Sequence, residues 1–247
     1  MGTRKRQLLS SSSSRILNTT NTIMKDKELN NEQFTPQDLA KHLRQPSGEA
    51  GKKVGDMMNK GNKHICLNSY KTLAPKPGDH VLEIGMGNGT FVTEFIEQNS
   101  ITYVGLDYSP TMVQEAELKN TDVISKSKAC FVEASVEHIP NEDDTFDAIT
   151  TTNTIYFWPN PSENASELKR VLKPGGKILI AYRDKSFMDN LEITRYGFEK
   201  YHSKDIEILL TKAGFSSIQT IEIKEPEMEF DGKKVAMSGF YTTAIKV

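Results

Sequence analysis

From residue 78 onward, short apolar runs alternate with amphipathic stretches, and that rhythm predicts the elements. HVLEI (80–84), ITYVGL (101–106), ACFV (129–132), DAIT (147–150) and KILIAY (177–182) are apolar almost throughout. Strands that read this way are covered on both faces, whereas a half-exposed strand alternates. The pattern predicts strands over 80–84, 101–107, 128–133, 146–151 and 176–182, with helices over 89–98, 109–119 and 161–172. Strand followed by helix, repeated, is the signature of a parallel sheet. A last helix from Ser203 to Ala213 stops at Gly214, and strands near 216–223 and 235–246, separated by the polar EPEMEFDGKK, are placed to pair as an antiparallel edge.

The chain before residue 78 has a different texture. Thr35-Pro36-Gln37-Asp38 offers an N-cap, a proline at the first helical position and an early acid, so a short helix to about Arg44 is expected. QPSGEAGKKVGDMMNKGN (45–62) carries glycines at 48, 51, 55 and 61 and reads as a flexible stretch around one short helix, with Gly61 and Asn62 as a stop and a restart. A further helix through Tyr70 and Leu73 leads into the turn PKPGD (75–79). Residues 33–77 therefore form a small helical segment, a candidate lid. Residues 1–32 read as a disordered tail: the first 25 hold five basic residues, a run of five serines and no acid. That composition buries too little apolar surface to offset its ordering entropy, and it also suits an organelle transit peptide.

Composition then narrows the partners. The 247 residues are 36% hydrophobic and 26% charged, enough for one sizeable domain with an appendage. A net charge of -2 gives no basic field for nucleic acid, and no apolar run of 18 residues spans a bilayer. Cys66 and Cys130 stand apart without a CxxC or histidine companion, so neither a disulfide framework nor a metal site is expected. They fit a reducing compartment: the cytoplasm, or an organelle if residues 1–25 are a transit peptide. A free small molecule is the expected partner.

VLEIGMGNGTF (81–91) sets three alternate glycines, Gly85, Gly87 and Gly89, between the first strand and its helix, with Glu83 just inside. Such a turn lets a ligand touch the backbone and meet the helix N-terminus. A dinucleotide expects GxGxxG, and here the third glycine falls one residue early, at the position before Thr90. A carboxylate at Glu83 is unhelpful beside phosphates and useful beside an ammonium group. The ligand expected is nucleoside-like and carries a cation.

At this point the residues resemble a family. E-x-G-x-G-x-G at Glu83 to Gly89 is similar to the first motif of class I S-adenosylmethionine-dependent methyltransferases, and GLDYSPTMVQEA (105–116), FVEASVEHIP (131–140), DTFDAITTTNTIYFW (144–158) and LKRVLKPGGKILIA (168–181) resemble its later segments in order. The resemblance covers residues 78–247 and is nearest to the small-molecule subgroup that includes ubiquinone and menaquinone biosynthesis enzymes. It implies an α/β, Rossmann-like fold, a seven-stranded mostly parallel sheet with an antiparallel last strand, joined here to the small N-terminal helical lid. It further implies S-adenosyl-L-methionine as cofactor, a small-molecule methyl acceptor, and in-line displacement that draws mainly on proximity and alignment.

The cofactor residues the resemblance implies are Glu83, Gly85, Gly87, Asn88, Gly89, Asp107, Tyr108, Ser109, Met112, Ala134, Ser135, Val136 and Thr151. Asp107 would bind the ribose diol, Glu83 the ammonium group, and Met112 would lie against adenine. Ser135 stands where the family often has an aspartate for the adenine amino group, so its hydroxyl or a neighbouring residue takes that acceptor's place. Tyr156, Trp158, Tyr182, Phe187 and Tyr196 are candidate acceptor contacts, since open α/β sheets bind at the carboxyl ends of their strands. For a base, His64, His138, Tyr156 and Tyr182 are the candidates. Two alternatives compete: a nicotinamide-dependent oxidoreductase, which lacks its GxGxxG here, and a cofactor-binding interaction module without turnover.

Overall fold

The computed structural model describes residues 34–230 and 233–247. The expected tail, residues 1–32, lies outside the described residues. In chain order the elements are α1 (Pro36–Arg44), α2 (Gly48–Leu73), β1 (His80–Ile84), α3 (Val92–Asn99), β2 (Thr102–Asp107), α4 (Pro110–Lys119), α5 (Thr121–Ser125) and β3 (Ala129–Glu133). There follow β4 (Phe146–Thr152), a 3-10 turn (Ile155–Phe157), α6 (Pro161–Val171), β5 (Leu172–Tyr182), α7 (Lys185–Met188) and a second 3-10 turn (Glu192–Arg195). The chain closes with α8 (Ser203–Lys212), β6 (Phe215–Lys224), β7 (Met228–Phe230), β8 (Lys233–Val235) and β9 (Ser238–Lys246).

Seven strands form one sheet in the order β3-β2-β1-β4-β5-β9-β6. β1 to β5 run parallel, and β9 inserts between β5 and β6 antiparallel to both. The strand order reverses beside β1, between β2 and β4, and there the carboxyl ends of the strands leave a crevice. The continuous apolar runs are explained by their setting. Leu82, Ile84, Ile149, Ile178 and Ile180 belong to a core on one face of the sheet, while Val81, Tyr103, Ala148, Leu179 and Ala181 belong to a core on the other. The expected polar connector EPEMEFDGKK instead contains strand β7, which pairs with β8 as a separate two-stranded ribbon, so the last sheet strand begins at Ser238 rather than near 235.

The larger correction lies in residues 45–62, expected to be flexible. Gly48–Leu73 is one 26-residue helix with no break at Gly61 or Asn62. Its stripe Gly51, Val54, Ile65, Ser69 and Leu73 is buried along one helical face, and that burial outweighs the glycines' propensity cost. Two of those glycines are there for close approach: a Cβ on Gly51 would stand 2.6 Å from the Pro46 carbonyl carbon, and one on Gly55 would touch the Met112 sulfur at 3.3 Å. Gly61 meets nothing within 4 Å. Gly61→Ala is therefore expected to stabilise the fold by about 0.5–1 kcal/mol, read as a rise of a few degrees in thermal midpoint; a fall would show that the helix needs glycine there.

Candidate functional site

The site is a cavity of about 670 Å³ over the carboxyl ends of the parallel strands, roofed by α1 and α2. One end is the glycine turn. Gly85, Gly87 and Gly89 have φ of 70, 59 and 66°, in the left-handed region that glycine adopts without strain. A Cβ at Gly87 would enter open space, so a ligand can lie against this backbone, whereas a Cβ at Gly89 would stand 2.9 Å from that of Ala116 on α4. Gly89 thus serves helix packing.

Asp107, at the end of β2, is buried, and each of its carboxylate oxygens accepts a backbone N–H: Gly87 on Oδ2 at 3.0 Å and Ser109 on Oδ1 at 2.9 Å. Burial pushes its pKa up from 3.8 to about 6, against the pull of those two hydrogen bonds. Glu83, on β1, is buried deeper. Its Oε2 accepts the hydroxyls of Tyr70 on α2 at 2.8 Å and Tyr103 on β2 at 2.7 Å. Burial raises its pKa from 4.5 to about 7, with the two hydroxyls opposing the rise. Asn88 ties the turn to the roof: its Nδ2 donates to Asp56 at 3.0 Å and its Oδ1 accepts from Asn59 at 3.0 Å, both on α2. The loop between α1 and α2 is pinned to the segment after β2, with the Gln45 side chain donating to the Tyr108 carbonyl at 3.4 Å and Gly48 N to Thr111 Oγ1 at 3.3 Å.

The other end is apolar. Phe157, Trp158, Phe187, Met188, Leu191 and Phe198 line it from below, and Leu39, Leu43, Met57 and Met58 from the roof. Ile193, packed with Leu39 and Val54, binds the second 3-10 turn to the roof.

Of the residues predicted from the sequence, the cavity brings together Glu83, Gly85, Gly87, Asn88, Asp107, Tyr108, Met112, Ala134, Ser135, Val136, Tyr156, Trp158 and Phe187. It does not reach Gly89, Ser109, Thr151, Tyr182, Tyr196 or His64. Ser109 caps α4 by accepting from Met112 N at 3.2 Å, and Thr151 donates to the Ile84 carbonyl at 3.0 Å, joining β4 to β1. Tyr182 turns to β9, pairs its hydroxyl with Thr242 at 3.1 Å and stacks on Phe240. Tyr196 is exposed. Tyr156 is on the wall, yet its hydroxyl accepts the Arg183 N–H and donates toward Asn153 Oδ1 or the Arg183 carbonyl, while burial pushes its pKa well up, so it is no base. His138 lies outside the cavity as well.

Of the wall residues that sequence reasoning missed, three polar ones stand out. His42 on α1 faces the cavity with Nδ1 buried and unpartnered among the described residues. Asn153 at the end of β4 holds φ 57°, an uncommon conformation for a side-chain-bearing residue, and donates to Asn62 of α2 at 3.2 Å. Arg183 at the end of β5 is buried, and its guanidinium pairs with Glu225. No local motif marks them, apart from their place after strands or on a roofing helix. The absent aspartate at Ser135 has a neighbour in Glu137, whose backbone N–H reaches Ser135 Oγ at 3.2 Å and whose side chain lines the cavity.

A family model described as a methyltransferase domain matches residues 82–180, which hold the glycine turn, Asp107 and the strand-four and strand-five segments. Residues 82–180 are thus a methyltransferase domain, and the chain is similar to class I S-adenosylmethionine-dependent methyltransferases. Among these methyltransferases it is 34% identical over 115 residues to the ubiquinone/menaquinone biosynthesis C-methyltransferase of Geobacter sulfurreducens, a match covering 46% of this chain and 45% of that enzyme. An uncharacterised protein of Methanocaldococcus jannaschii is 28% identical over 172 residues, 66% of this chain and 78% of the relative. Among solved structures, the Haloferax volcanii complex of the Trm112 methyltransferase activator with a methyltransferase superposes with TM-score 0.68 at 17% identity, over 87% of this chain and 99% of the matched one. Phosphoethanolamine N-methyltransferase 2 of Haemonchus contortus, with S-adenosylhomocysteine bound, superposes with TM-score 0.63 at 16% identity, over 87% of this chain and 60% of that one. These two show the fold.

The methyltransferase cofactor fits the residues present. Asp107 supplies a buried acceptor for a diol, Gly87 leaves backbone open to a ligand, and Glu83 offers a buried carboxylate to an ammonium group. Among the described residues no cluster suits a metal ion, and no helix is long and apolar enough to cross a membrane.

Proposed function

We propose that this chain transfers a methyl group from S-adenosylmethionine to a small, largely apolar organic acceptor. The observation that carries the reading is a single cavity joining the glycine turn, Glu83 and Asp107 to an apolar chamber of side chains from the loops after β4 and β5. S-adenosylmethionine supplies a methyl group already activated on a sulfonium, so the chain's residues need chiefly to bind, orient and exclude water. Asp107 and Glu83 fix the nucleoside and amino-acid ends, and Met112, with Ala134 to Val136, frames the base. The roof of α1 and α2 keeps water off the chamber. His42 Nδ1 is the group available to take a proton from a hydroxyl acceptor. Unpaired Cys66 and Cys130 suit a reducing compartment, the cytoplasm or an organelle interior.

Thermal unfolding with added S-adenosylhomocysteine, S-adenosylmethionine or nicotinamide dinucleotides tests the cofactor. A ligand at 100 times its Kd adds about 2.7 kcal/mol, a rise of roughly 5–10 °C. Stabilisation by the two adenosyl compounds alone is expected, followed by transfer of labelled methyl to an acceptor panel. Stabilisation by a dinucleotide instead would replace the reading with the oxidoreductase one; binding with no transfer to any acceptor would favour the cofactor-binding module.

A further inference from the structure

The buried ion pair at the end of β5 has no role in the cofactor end of the cavity. Arg183 lines the chamber at 5% exposure, next to Tyr156 in the wall, and Glu225, which follows β6, is also buried, at 7%. Glu225 takes the guanidinium end-on: Nη1 donates to Oε1, and Nη2 to Oε2 at 3.0 Å. A guanidinium has five N–H donors. Two are used, so three remain, including Nε–H and the N–H beside it, which form a second two-pronged fork along the side of the group; no other group among the described residues accepts from them. Burying both charges is costly, and two apolar side chains would fill the space at no such cost, so the pair makes sense as a means of presenting donors inside an apolar chamber.

Resting on the methyl-transfer reading above, we propose that Arg183 anchors the acceptor, and that the acceptor is an apolar molecule bearing a neutral oxygen, a carbonyl or hydroxyl, which the free side of the guanidinium receives. Charge selects the neutral form. Arg183 and Glu225 already sum to zero, so a carboxylate or phosphate on that fork would leave the buried group net negative, in a cavity whose other charged lining residues, Glu83, Asp107, Glu137 and Glu192 against Arg44 and Lys60, hold more acids than bases. An ammonium group would face the guanidinium directly. The nearby neutral groups add no charge: burial holds the Cys66 thiol far above its usual range, and the Tyr156 hydroxyl is committed to backbone. Phe157, Trp158, Phe187 and Phe198 supply the apolar wall for the rest of the molecule. Glu225 is a positioning residue, holding the guanidinium end-on so that its side fork is left for the acceptor.

The test uses one apolar body with three head groups. Binding of 2-acetonaphthone, 2-naphthoate and 2-naphthylmethylammonium is measured by calorimetry on the full chain saturated with S-adenosylhomocysteine. The neutral ketone is expected to bind at least tenfold more tightly than either ion. Arg183→Lys keeps a cation opposite Glu225 but loses the planar fork, and is expected to weaken the ketone at least fivefold while S-adenosylhomocysteine affinity stays within twofold. The apolar pair Arg183→Met with Glu225→Leu, which leaves no unpaired buried charge, should do the same if Arg183→Lys folds poorly. A carboxylate or ammonium probe that binds best, a ketone advantage that survives in both variants, or no binding of any probe overturns the inference alone. S-adenosylhomocysteine that fails to bind the wild type overturns the methyl-transfer reading first, and this inference with it.

Discussion

Asp107→Ala is expected to weaken S-adenosylhomocysteine binding by roughly a hundredfold or more. Each charge-assisted hydrogen bond from a ribose hydroxyl to the carboxylate contributes about 1.5–3 kcal/mol, and two of them reach that factor. The substitution also removes the acceptor that holds Gly87 N and Ser109 N, so the glycine turn loses its tie to the end of β2. Calorimetric titration measures the affinity, and thermal unfolding of the free variant separates the loss of ligand from the loss of fold. Asp107→Asn keeps one carbonyl acceptor and is expected to fall between. An affinity within threefold of wild type for the alanine variant would remove Asp107 from the cofactor site.

The second large effect is one of pH, and it runs in opposite directions in the free and bound protein. Glu83 has its pKa raised from 4.5 to about 7 by burial. A carboxyl raised in the folded state contributes stability that is fully present below pH 4.5 and is lost as pH rises through about 7. The ligand-free protein should therefore lose up to about 3 kcal/mol from this group between those limits, with Asp107 adding a loss in the same direction between 3.8 and about 6. Ligand affinity runs the other way, because a neutral Glu83 offers nothing to an ammonium group. At pH 5.5 only a few per cent of Glu83 is ionised, so affinity should be at least tenfold weaker there than at pH 7.5. Titration at pH 6.5 in buffers of different ionisation enthalpy should show proton release on binding. Glu83→Gln should remove the slope above pH 6 from both profiles and leave the Asp107 step below it; a wild type whose affinity is level from pH 5.5 to 7.5 would dissociate Glu83 from the ammonium group.

Much of this protein was legible before any coordinates. The both-face-buried strands HVLEI, DAIT and KILIAY announced a parallel sheet, since a strand with a solvent face alternates and these do not. Gly87 and Asp107 were legible for a related reason: a turn open to a ligand needs a residue without Cβ, and a carboxylate after the second strand arrives beside it whatever the rest of the chain does. Local steric rules and short-range connectivity suffice for both.

Other features depended on contacts between residues far apart in the chain. The glycine-rich 45–62 stretch has weak local propensity for helix, and it is the burial of Val54 against α1 and the second 3-10 turn, and of Ile65 and Leu73 against the sheet, that makes α2 continuous. Tyr156 and Tyr182 looked alike as aromatic hydroxyls after strands, yet one faces the cavity and the other Phe240, because the strand pairing decides which side each takes. His42, Asn153 and Arg183 converge from α1, β4 and β5 with no shared motif. The sequence by itself determined the sheet, the glycine turn and the carboxylate that closes it, all settled by sterics and hydrophobic periodicity within a few residues. Only the tertiary structure decided which histidine, which aromatic rings and which buried charge meet in the chamber, because those neighbours are chosen by packing between segments as far apart in the chain as His42 and Arg183, where local rules carry no information.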